Sequence, residues 1–70
     1  MKSTVYAVWY ERADMKLYAE KQDAKRALWG YYMSEFGAIE TDEEQTKANK
    51  QLEEQDFIEF VGFIEELEVR

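Results

Sequence analysis

The sequence predicts an α+β fold: a small three-stranded sheet, made of an N-terminal hairpin and a C-terminal strand, with two helices packed on one face. Three features carry this prediction: a β-branched and aromatic run from Thr4 to Tyr10, a helix-start signature at Thr41, and an apolar closing segment that ends Phe63-Ile64-Glu65-Glu66-Leu67-Glu68-Val69.

Taken in order, Thr4-Val5-Tyr6-Ala7-Val8-Trp9-Tyr10 favours a strand with Val5, Ala7 and Trp9 on one face and Tyr6, Val8 and Tyr10 on the other. Both rows are apolar, so the strand is either central with cover on its second face, or that face is itself a contact surface. Glu11-Arg12-Ala13-Asp14 turns the chain, and Met15 to Ala19 returns as a shorter partner with Met15, Leu17 and Ala19 inward.

A first helix is expected from about Glu20 to Phe36, because Ala24, Ala27, Leu28, Tyr31 and Tyr32 recur at the spacing of one helical face. Gly37 fits the left-handed position that closes many helices. Thr41-Asp42-Glu43-Glu44 matches the capping box, in which the Thr41 hydroxyl and the Glu44 carboxylate each satisfy an orphaned backbone donor. A second helix therefore spans Asp42 to about Gln55, held by the narrow stripe of Ala48 and Leu52. The last segment is ambiguous, since Phe57, Phe60, Val61 and Ile64 fit a helical face while Phe63, Leu67 and Val69 alternate as a strand does. The favoured reading is a strand from about Phe60 to Val69, with Gly62 as a bulge or a close approach.

Composition bounds the rest. Seventy residues without cysteine, histidine or proline make one small domain, residues 1–70, lacking a disulfide or Cys/His metal cage to staple it. Disorder is disfavoured by 46% hydrophobic content and eleven aromatic rings. No secretory leader pattern opens the chain and no apolar run approaches ~20 residues, so a cytoplasmic protein without membrane contact is expected. The net charge of -7 is unevenly placed: residues 1–39 carry +1 and residues 40–70 carry -8.

The order of elements, with Val5-Tyr6-Ala7-Val8, Leu17-Tyr18 leading into Ala24, and the Ile64-Glu65-Glu66 closing strand, resembles small phage- and prophage-encoded proteins of strand, strand, helix, strand layout. Two departures stand out. Ala19 occupies the place of a capping Ser or Thr, and residues 38–56 read as an inserted second helix. Some small acidic phage proteins bind and block host defence machinery, so the resemblance implies a binder and no reaction.

The available chemistry agrees with that reading. Without histidine or cysteine there is no Ser-His or Cys-His nucleophile, and Ser3 and Ser34 read as solvent-facing hydroxyls. The clusters Asp42-Glu43-Glu44 and Glu65-Glu66-Glu68 lack a cation-wrapping loop and read as solvated faces, so neither an enzyme nor a cofactor or metal is expected. An acidic chain repels phosphate, which disfavours direct nucleic-acid binding, but carboxylates along the second half can imitate a phosphate array and occupy a basic groove on a protein.

Aromatic side chains supply the other half of a contact, since Trp and Tyr dominate binding hot spots. The expected partner-binding set is Tyr6, Tyr10, Trp29 and Tyr32 with Glu53, Glu54, Asp56 and Glu59, directed at a host or viral protein with a basic surface. The function expected is a non-enzymatic protein-binding inhibitor of phage type, acting on a defence or nucleic-acid-handling protein. The alternative is a structural homodimer or small scaffold subunit whose aromatic surface is consumed in self-association.

Overall fold

The computed structural model describes residues 3–11 and 14–69. The elements run β1 (Ser3–Tyr10), β2 (Met15–Tyr18), α1 (Lys21–Phe36), α2 (Asp42–Gln55), β3 (Phe57–Ile58) and β4 (Gly62–Val69). The strands form one antiparallel sheet in the order β2-β1-β4-β3. The fold is α+β as expected, but the sheet has four strands where three were expected. Asp56 takes a left-handed conformation (φ 57°) that ends α2 and turns the chain back, so Phe57 and Ile58 leave the helix and pair with Phe63 and Gly62.

β1 and β4 form the centre of the sheet, in unbroken register from Ser3↔Val69 to Tyr10↔Gly62. The closing segment is therefore a strand, beginning at Gly62 and not at Phe60. A tight turn precedes it, in which the Val61 N–H donates to the Ile58 carbonyl at 3.0 Å and Phe60 is left-handed (φ 66°). Gly62 is a close approach and not a bulge, because a Cβ there would collide with the Trp9 carbonyl oxygen. The first hairpin closes through the Tyr10 N–H to the Asp14 carbonyl at 2.9 Å. Arg12 and Ala13 of the expected turn lie outside the described residues.

The first helix begins at Lys21, with Glu20 extended and making no side-chain cap. Gly37 does not supply the left-handed closure expected of it; it is right-handed (φ -58°), its N–H donates to the Met33 carbonyl, and the turn continues through the Glu40 N–H to the Phe36 carbonyl. The capping box at Thr41 forms in full: the Glu44 N–H donates to Thr41 Oγ1 at 3.1 Å, and the Thr41 N–H donates to Glu44 Oε1 at 2.8 Å.

One core joins the layers. Val8 of β1, Ala24, Leu28 and Tyr32 of α1, Ala48 and Leu52 of α2, and Ile58 and Val61 form one buried cluster, while Tyr6, Tyr10, Tyr18 and Ile64 pack around it. The helices thus cover the face that carries Tyr6, Val8 and Tyr10. The expected inward row, with Met15 and Leu17 beside it, lies on the opposite side, which no helix covers. Among the described residues no helix is long and apolar enough to cross a membrane.

Candidate functional site

Alternation along paired strands assigns the uncovered face residue by residue. Trp9 stands opposite Met15 on β2 and Phe63 on β4, Ala7 opposite Leu17 and Glu65, and Val5 opposite Leu67. Phe57 of β3 continues the Trp9 row, since it pairs with Phe63. The Trp9 and Phe63 rings stack with centroids 6.3 Å apart and planes 19° from parallel. Leu17, Phe63 and Met15 remain 56%, 49% and 42% exposed. Within these paired rows Glu65 places a carboxylate, which accepts a hydrogen bond from Trp9 Nε1 at 3.2 Å.

At the β3–β4 end the face opens into a hollow of about 380 Å³ whose floor includes Trp9, Phe57, Phe63 and Val61, with Glu11 and Glu59 also lining it. Phe60 is part of its wall and is 76% exposed. A bulky side chain in the left-handed region is a strained choice where glycine or asparagine would relax the backbone.

The expected aromatic contacts fall elsewhere. Tyr32 is buried at 1% exposure, so it is not a surface ring; its hydroxyl donates to Glu40 Oε1 at 3.2 Å, and burial followed by the Glu40 charge pushes its pKa up to about 12. Tyr10 is half-buried against Tyr31, with ring centroids 4.7 Å apart, and burial followed by Tyr18 raises its pKa to about 12 as well. Tyr6 packs on the core from the helix-covered side. Trp29 is half-buried, 5.1 Å from the Tyr32 ring, and borders a hollow against α2 beside Gln45 and Asn49. The sequence prediction missed the face because both rows of β1 are apolar. Met15, Leu17 and Phe63 share the Trp9 row, but an apolar alternation does not tell a core-facing row from an uncovered one.

The expected acids divide by role. Glu53, Glu54 and Glu59 are exposed; the Glu53 carbonyl accepts from Lys25 Nζ at 3.3 Å, and the Glu59 N–H donates to Gln51 Oε1 at 2.8 Å. Asp56 serves the fold: its carboxylate meets Lys21 Nζ at 2.9 Å and Lys25 Nζ at 3.5 Å, tying α1 to the end of α2, and the hydrogen bond raises the Lys21 pKa. Arg26 pairs with Asp23 at 3.6 Å. A further carboxylate pair went unpredicted. Glu40 and Glu44 line a hollow with Glu59 and Lys47, and the Glu40 carboxyl is pushed up chiefly by its hydrogen bond with Glu44, whereas the Thr41 N–H holds Glu44 down.

These features make two surfaces of different chemistry, an apolar sheet face nearly free of charge and a helical layer with exposed carboxylates. Among the described residues no group of three or more Asp or Glu side chains converges as a metal site would require. Comparison of the chain with protein-family models, with curated proteins and with solved structures finds no match.

Proposed function

We propose that this chain is a small acidic, non-enzymatic protein-binding module that occupies a basic surface on a host or viral protein. In its sharpest form it is a cytoplasmic inhibitor of phage or prophage type whose carboxylates stand in for the phosphates of a nucleic acid. The observation that supports this is the internal pairing of three cations of the first half. Lys21 and Lys25 engage Asp56, and Arg26 engages Asp23, so these bases are drawn into the fold's own ion pairs. Of the acidic second half, Glu53, Glu54 and Glu59 are exposed around the α2 to β3 corner. A field of one sign steers a complementary partner and accelerates its association.

The test is capture of a partner from host lysate on the immobilised chain, compared with the triple variant Glu53→Gln, Glu54→Gln, Glu59→Gln. Asp56 is kept, because it holds α1 in place. A mimic releases its partner as the Debye length falls from ~10 Å at 0.1 M salt to ~3 Å at 1 M, and the triple variant associates more slowly. Equal capture by parent and variant at low salt would refute the acidic contact.

A further inference from the structure

The uncovered sheet face is a surface that the acidic reading does not use. We propose that it is covered by a second copy of this chain, the two sheets packing face to face with the helices outside, in a four-layer α/β/β/α dimer. This is independent of the proposed function, because the exposed carboxylates of α2 lie on the layer that such a dimer turns outward.

The area of the molecule supports a second copy. A folded monomer of 8.4 kDa exposes about 4,600 Å² by the general size relation, whereas this chain exposes 5381 Å². The surplus, roughly 800 Å², matches the share that each partner contributes to a standard-size interface. A sheet with helices on one side only leaves its other apolar row in water. Val5, Trp9, Met15, Leu17, Phe63 and Leu67 form a field of interface character, rich in aromatic residues and methionine.

Charge selects this face for the contact between two copies. With -7 on each chain, two copies repel on nearly every approach, and the sheet face is where they meet with little charge between them. Stacked sheets lie about 10 Å apart and each helical layer lies further out, so the acidic layers are separated by more than the ~10 Å Debye length at 0.1 M salt. Glu65 need not be dehydrated. β3 pairs only with Gly62 and Phe63, so beside Glu65 the strand β4 is the sheet's edge, at the rim of the contact. Size argues the same way, because a 70-residue domain without disulfide or Cys/His metal staples commonly gains stability by oligomerising.

Sedimentation equilibrium between ~1 µM and ~200 µM, with Leu17→Lys and Met15→Lys as variants, tests this. Both residues are substantially exposed in the single chain, so lysine there leaves the protomer folded by circular dichroism. The parent is expected to sediment as a dimer, and each variant to weaken dimerisation about 100-fold or more. The triple glutamine variant of the acidic corner should dimerise as the parent does, which keeps failure of this proposal distinct from failure of the proposed function. In mixed-labelled parent, isotope-filtered NMR should show contacts between the Leu17 methyls of one copy and ring protons of the other. A monomeric parent at the highest concentration, or a dimer lacking those contacts and indifferent to Leu17→Lys, overturns the proposal.

Discussion

Phe60 gives the most direct test of the described backbone, because its left-handed conformation (φ 66°) reverses an ordinary stability ranking. The perturbation is a pair of variants, Phe60→Ala and Phe60→Gly, which both delete the ring and differ only in the Cβ. In most of a chain glycine is the poorer choice by about 0.5–1 kcal/mol, because it has more freedom to lose on folding. In the left-handed region a Cβ costs about 1–2 kcal/mol, which outweighs that entropy. Glycine should therefore be the more stable variant by about 0.5–1 kcal/mol. The comparison is insulated from packing, since the ring is 76% exposed and absent from both variants. Urea unfolding at one fixed protein concentration reads the difference. With a slope of about 1 kcal/mol/M for a chain this short, the midpoints should separate by roughly 0.5–1 M with parallel slopes. An alanine variant equal to or more stable than the glycine variant would refute the left-handed assignment, and with it the turn that sends the chain from β3 into β4.

Gly62→Ala should destabilise the fold by about 1–3 kcal/mol in the same assay, since its methyl would meet the Trp9 carbonyl oxygen and force β1 and β4 apart; an unchanged midpoint would contradict the register. Alkaline titration should show two of the five tyrosines ionising late, Tyr10 and Tyr32 at about 12. The fold favours their neutral phenols, so this stabilisation is complete below pH 10 and is lost as pH climbs from 10 towards 12, where the unfolded chain has already released its protons. Tyrosinate absorbance rising for all five rings together near pH 10, while circular dichroism still shows the folded chain, would contradict the burial of these two.

The elements of this protein are local properties and are legible along the chain. Thr41 and Glu44 close a capping box within four residues, Ala24, Leu28 and Tyr32 mark one side of α1 by spacing alone, and the aromatic run of β1 with its partner at Met15–Tyr18 reads as a hairpin. Short-range backbone and side-chain geometry suffices for each. Which row of β1 faces the core is a different kind of fact. A period of two sorts Val5, Ala7 and Trp9 from Tyr6, Val8 and Tyr10, but when both rows are apolar it carries no sign. The sign is decided by the side on which α1 crosses the sheet, through a buried cluster in which Ala24, Leu28 and Tyr32 join Val8 from well apart in the chain. The same crossing buries Tyr32 and uncovers Leu17 and Phe63. β3 was hidden for a related reason. Phe57 fits a helical spacing with Phe60, Val61 and Ile64, and only the left-handed Asp56, held by Lys21 and Lys25 from α1, turns Phe57 and Ile58 into the sheet. Local chemistry wrote the parts, while long-range packing, which stabilises one face only by leaving the other in water, decided where the contact surface lies.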